Sequence, residues 1–174
     1  DADLKAKGTI FQYNYSHDNV GGFFLICNLW NTINQDAIIR YNISQNDGLS
    51  IFNISGSPSN TLIYNNTIWV GPEGQHRIVD QEEWEGASAA SVYFYNNIFY
   101  NQNSTTEYTF FGDALVVFDY NLFFGKLSRN TPADAHKLMV DPLFVNPGAG
   151  KIGFNSLGGY QLHTNSPAIA SGMI

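Results

Sequence analysis

Short apolar runs punctuated by asparagine set the rhythm of this chain. The pattern apolar–x–Tyr–Asn–x–apolar occurs at Phe11-Gln12-Tyr13-Asn14-Tyr15, Ile39-Arg40-Tyr41-Asn42-Ile43 and Leu62-Ile63-Tyr64-Asn65-Asn66-Thr67-Ile68. It returns at Tyr93-Phe94-Tyr95-Asn96-Asn97-Ile98 and Val117-Phe118-Asp119-Tyr120-Asn121-Leu122. The copies lie roughly 23 to 31 positions apart, the period of a solenoid or stacked array. Each copy predicts two short strands joined at a polar kink. Asparagine suits the kink because it tolerates left-handed backbone angles and bonds locally. Stacked coil on coil, the asparagines can form a hydrogen-bonded ladder.

The intervening runs complete coils of three strands. The first full coil is predicted over 22–28, 37–41 and 43–44, and the second over 48–53, 61–64 and 67–70. The third follows over 77–80, 91–95 and 98–100, and the fourth over 108–111, 114–120 and 122–124. A short helical turn fits around 81–90. No coil can bury its apolar side alone, so neighbours must stack into one continuous core. The expected fold is all-β, a right-handed single-stranded parallel β-helix of about 4–6 coils, with residues 1–174 as one domain. Residues 138–174, rich in proline and turn residues, are expected to close the stack. The N-terminal edge has no comparable cap and is expected to be covered by missing N-terminal coils or a second chain.

Composition narrows the function classes. Charged residues make up 13% and aromatics 15% of the 174 positions, the reverse of a disordered chain. The formal net charge of −7 argues against a nucleic-acid partner, which needs clustered Lys and Arg. Cys27 is the only cysteine, so there is no disulfide framework, and its apolar run marks a buried, inert thiol. No segment is long enough for a membrane span. Low charge with abundant Asn, Tyr and Thr points to a secreted or cell-surface protein. The start without Met reads as a mature or excised piece of a longer one.

The asparagine kinks and strand pattern resemble the pectate-lyase-like superfamily of right-handed parallel β-helices. The tail resembles the ending of many secreted bacterial members: Asp141-Pro142-Leu143-Phe144, then Asn165-Ser166-Pro167-Ala168-Ile169-Ala170-Ser171-Gly172. The resemblance covers nearly the whole chain and speaks to fold more than activity, since this fold hosts lyases, glycoside hydrolases, epimerases, esterases and adhesins. It implies a substrate cleft along the outside of the first strand sheet, between loop walls.

Aligning the kinks at Asn14 and Asn42 matches Ser16-His17-Asp18-Asn19 to Ser44-Gln45-Asn46-Asp47. Both segments feed a glycine-led strand, and the third coil reaches the same place at Glu73-Gly74-Gln75-His76-Arg77. The catalytic candidates are therefore Asp18, Asp47, His17 and His76. The position resembles the acidic edge of polygalacturonases, but their paired Asp-Asp and Arg-x-Lys are absent, so pectin hydrolysis is unsupported. Two carboxylates on neighbouring coils can divide acid and nucleophile roles at a glycosidic bond. Alternatively Asp18, Asp47 and Glu73 could hold calcium, leaving His17, His76 or Arg77 to remove a proton in β-elimination. The bland reading is that Asn46-Asp47-Gly48 is turn chemistry and the other groups are solvated loop residues.

Substrate binding is expected from Trp84, Trp30, Asn19, Asp36 and Arg77, with Trp84 on the acidic loop 81–86 as the opposite wall. The expected function is that of a carbohydrate-active protein, a lyase or glycoside hydrolase acting on an extracellular polysaccharide or oligosaccharide. The alternative is a non-catalytic glycan-binding or surface adhesin β-helix.

Overall fold

A computed structural model describes residues 2–29, 31–88, 90–128 and 130–173. The chain winds as a parallel β-solenoid of about four turns. The first coil carries β1 (Ile10–Gln12) and β2 (Tyr15–His17). The second carries β3 (Phe24–Asn28), β4 (Ile38–Arg40) and β5 (Ile43–Gln45). The third is β6 (Leu49–Gly56), β7 (Thr61–Tyr64) and β8 (Thr67–Val70), and the fourth is β9 (His76–Glu82), β10 (Ser91–Tyr95) and β11 (Ile98–Asn101). The last coil adds β12 (Glu107–Thr109), β13 (Leu115–Asp119) and β14 (Leu122–Gly125). Equivalent strands pair in parallel and build three sheets. Sheet A is β3-β6-β9-β12, sheet B is β1-β4-β7-β10-β13, and sheet C is β2-β5-β8-β11-β14.

Because register fixes which residues stack, like side chains meet on adjacent coils. Phe94 stacks face to face on Phe118 at 4.5 Å, and Phe99 on Phe123 at 5.1 Å, close to the spacing of adjacent strands. Ile26, Ile39, Ile54, Ile63, Ile68, Val79 and Val92 belong to the same core, together with Phe24, Ile51, Phe52, Val70, Ile78 and Tyr108. Cys27 is buried as expected. Its Sγ lies 3.0 Å from Asp3 Oδ1, and burial, then that hydrogen bond and charge, push the thiol up to about 12. A thiol so disfavoured as thiolate is unreactive at neutral pH.

The asparagine ladder forms, with a corrected register. The ladder residues are Asn14, Asn42, Asn66, Asn97 and Asn121, so the kink in two coils uses the second asparagine, not Asn65 or Asn96. Each backbone N–H and each side-chain amide donates to the Oδ1 of the next ladder asparagine at 2.9–3.1 Å. The left-handed residue is the one before: Tyr13, Tyr41, Asn65, Asn96 and Tyr120 all have φ between 54° and 58°. Asparagine is selected here for its amide, which carries hydrogen bonds from coil to coil, more than for its backbone tolerance. The ladder ends on Asp134, whose Oδ2 accepts from both the N–H and the amide of Asn121.

The helical turn expected around 81–90 is replaced by extended backbone. β9 continues through Glu82, and Trp84 and Ala87 exchange both backbone hydrogen bonds at 2.9 Å. Glu85 and Gly86 between them both have positive φ, the two-residue turn that suits a β-hairpin. Leu138 pairs with Leu122 at the end of sheet C, and residues 144–160 run across the outside of that sheet. Phe144 stacks on Tyr100, Gly148 lies against Trp69, and Gly150 exchanges hydrogen bonds with Gln45. The 3₁₀ helix Phe154–Tyr160 ends by placing Tyr160 Oη 2.8 Å from Gln45 Oε1.

Candidate functional site

The corner that leads into sheet A gathers most of the predicted residues, but points them in different directions. Asp18 and Asp47 do not converge on a shared opening. Asp47 is fully buried: Oδ2 accepts from Ser44 Oγ at 2.7 Å, and Oδ1 accepts from the N–H and amide of Asn19. Its carboxylate therefore closes a turn and binds one coil to the previous one. Asp18 sits in the left-handed region at φ 54°, with its side chain 56% exposed, and accepts from the Asn46 amide. His17 lies 2.9 Å from Asp18 and stacks on Tyr15. It shares the outward column of sheet C with Gln45 and Trp69, the face crossed by residues 144–160, and so faces out from sheet C.

His76 is buried and works as a staple. Nδ1 lies 2.9 Å from the carbonyl oxygen of Asp47, and Nε2 lies 2.9 Å from that of Glu73. Gly74 must be glycine for this: its φ is 89°, and a Cβ there would come within 2.7 Å of Nε2. Both ring nitrogens face backbone carbonyl oxygens, so neither is turned toward a substrate. The calcium set fares no better. Asp47 is enclosed by its donors, and among the described residues no three His, Cys, Asp or Glu side chains gather as a metal site. The residues do not fit a calcium ion.

The far end of sheet A holds the rest. Trp84 is half-buried at the two-residue turn that follows β9. Asp36 accepts from Asn60 and Gln35, and those hydrogen bonds hold its carboxyl below the usual range. Trp30 lies outside the described residues. Arg77, the second residue of β9, lies at the opposite, entering end of the sheet with an exposed guanidinium, and it leads to a charged, hydrogen-bonded cluster.

That group is the outward face of sheet A, centred on Asp80. Ser50 Oγ donates to Asp80 Oδ2 at 2.6 Å, Arg77 Nη1 donates to the same oxygen at 2.9 Å, and Thr109 Oγ1 donates to Oδ1 at 2.5 Å. Burial pushes the Asp80 carboxyl up. The hydrogen bonds from Ser50, Thr109 and Arg77, with the Arg77 charge, outweigh it and hold the group below its ordinary value. Asp80 is therefore a fixed anion, and it holds Arg77 charged in turn. Glu82, two residues along and on the same face, accepts from Ser55 Oγ at 2.9 Å and is exposed. Glu107 pairs in register with Arg77, and both border a hollow lined also by Leu49, Gln75, His76 and Thr105.

Sequence reading placed Asp80 at the end of a strand and gave it no role. The missed signal was a repeat of spacing. Ser50, Asn53 and Ser55 recur as Arg77, Asp80 and Glu82 at the same offsets, and the sheet pairs them residue for residue. A polar column at constant offset on adjacent parallel strands is an outward face, so the charged copy marks where chemistry can sit.

The fold and this face define a parallel β-solenoid with a charged, hydrogen-bonded outer sheet. No family model matches the chain. Over 155 residues, 86% of its length, it is 32% identical to a lacto-N-biosidase of Bifidobacterium longum subsp. longum. The chain spans 9% of the length of that relative. Among the described residues no helix is long and apolar enough to cross a membrane.

Proposed function

We propose that this chain is the carbohydrate-active β-helix, or a portion of it, of a secreted or cell-surface glycoside hydrolase of the pectate-lyase-like superfamily. In this reading residues 1–174 are one domain closed by 138–174. An oligosaccharide or polysaccharide lies along the outward face of sheet A. What carries the reading is the Asp80 cluster, on a chain similar over most of its length to a glycosidase.

The chemistry follows from geometry. Side chains two apart on one strand share a face at about 7 Å, twice the rise per residue. Asp80 and Glu82 are so related, and carboxyl separations of roughly 6.5–9.5 Å suit inverting hydrolysis. Glu82, open to solvent until a bound sugar covers it, takes up a proton in that shielded state and gives it to the leaving glycosidic oxygen. Asp80, held ionised but enclosed by its donors, takes the proton of the attacking water through Thr109, whose hydroxyl passes its hydrogen to Oδ1 and recovers one from the water. Arg77 offers its free N–H groups to sugar hydroxyls, and Trp84 and Asp36 line the far end. Elimination is the weaker chemistry: His76 turns both nitrogens to backbone carbonyls, His17 faces out from sheet C, and Asp80 keeps Arg77 charged.

A glycan panel that includes lacto-N-biose-terminated oligosaccharides tests this, read by new reducing ends and by the ultraviolet absorbance of unsaturated products. Hydrolysis gives reducing ends without absorbance. Glu82→Gln and Asp80→Asn are expected to abolish turnover, with Asp18→Asn near wild type. Binding that persists in all three variants, with no cleavage by wild type, would favour the non-catalytic glycan-binding role. Loss of activity in Asp18→Asn alone would return the site to the corner.

A further inference from the structure

We infer that the N-terminal end of the stack is a docking surface for one more coil: a strand–asparagine–strand segment laid parallel on β1 and β2.

The asparagine ladder is directional. Each ladder residue gives its N–H and amide to the next coil, and accepts both from the coil before. At Asn14 the giving half is complete, with both donors 3.0 Å from Asn42 Oδ1. The accepting half is not, since no donor among the described residues meets Asn14 Oδ1. A second link is missing at the same place. The amides of Asn42, Asn66, Asn97 and Asn121 also reach back to the carbonyls of Phe11, Ile39, Ile63 and Phe94 in the preceding coil. Besides its ladder bond, the Asn14 amide makes only the bond to the carbonyl two residues back, that of Gln12, which Asn66 and Asn121 make in addition to their reach-back bond.

The surroundings agree. β1 and β2 end their sheets and pair on one side only. Ile10 and Tyr13 are 54% and 64% exposed, and the rings of Phe11 and Phe23 lie half-buried over the end of the core. The neighbouring positions are already covered, because Ala2 bridges to Ile26 and Lys7 to Gln35. The uncovered stretch is therefore the length of one strand–kink–strand unit. Its occupant must carry an amide donor at the kink and a carbonyl three residues earlier.

A second copy of this chain cannot supply that from its C-terminal end. The ladder there ends on Asp134, an acceptor whose oxygens already serve Tyr120, Asn121 and His136. Head-to-tail stacking would set a carboxylate against the Asn14 oxygen. The occupant is a coil of the same build with asparagine at its kink.

The test joins a second copy of residues 37–45, through a short Gly/Ser linker, to the N-terminus of the full chain. Amide exchange at Ile10–Gln12 and Tyr15–His17 is expected to slow roughly tenfold or more. The same fusion with Asn42→Asp in the added copy alone leaves the host unchanged and replaces the donor by an acceptor, so protection should vanish. Equal protection by both fusions, or none by either, would overturn the inference. Dimerisation of the unfused chain in sedimentation, with protection of the same strands, would overturn it in favour of a second copy.

Discussion

Two corners of each coil do opposite jobs. At the kink between sheets B and C, every coil spends two residues, and Asn42, Asn66, Asn97 and Asn121 all give their N–H and amide to the next turn and reach back to the one before, so these four are buried and interchangeable in role. At the corner entering sheet A, every coil differs: one uses Asp18 and Asn19, the next Asp47, the next Glu73 and His76. A constant corner sets the pitch and registry of the whole stack. A variable corner can lengthen without disturbing that registry, because loop closure costs little per added residue. Function has room at the variable corner and on the strands it feeds, while the kink has none to give.

The comparison can be broken most severely at the kink. Asn66→Leu removes the acceptor for the Asn42 N–H and amide and the donors to Ile39, Tyr64 and Asn97. Buried donors left without partners should cost about 4 kcal/mol, measured by urea unfolding. At the variable corner, Asp47→Ala removes the acceptor of the Asn19 N–H and the Ser44 hydroxyl and leaves the Asn19 amide only its bond to Ser16, and should cost about 2 kcal/mol in the same assay.

A third outcome concerns pH. Because the Asp80 carboxyl is held below its unfolded value, it adds stability that is fully present above that value, about 3.9. The contribution fades as pH falls through the lower folded value. Melting temperatures across this acid range should fall less steeply in Asp80→Asn than in wild type, and parallel curves would show that the cluster does not hold the group ionised. The smallest effect belongs to Asp18→Asn. Its side chain is 56% exposed, and unfolding should shift by no more than about 0.5 kcal/mol.

The winding of the chain was legible because it depends on repeated residue types: asparagines at a near-constant period and apolar strands around them. What slipped was parity. Where two asparagines adjoin, as at Asn65-Asn66 and Asn96-Asn97, the sequence pattern fits either one. The choice is made by Gln12, Arg40, Tyr64, Tyr95 and Asp119 sharing one register column. Parity also decided His17: with Ser16 in the column of Ser44 and Ile68, which point inward, His17 must face out from sheet C. The hairpin turn at Glu85-Gly86 was hidden by a locally helix-tolerant run. Its φ signature comes from the pairing of Trp84 with Ala87, a tertiary outcome.

The segment crossing sheet C gives the molecule a sense of time. Neighbouring coils are joined by kink bonds spanning 24 to 31 residues, whereas the contacts of Gln45 with Gly150 and Tyr160 span 105 and 115. During synthesis the spiral can zip up turn by turn as it emerges, while this girth fastens only after the last turn is made. Trp69, pressed beneath Gly148, is placed to report that final fastening as an optical phase of its own.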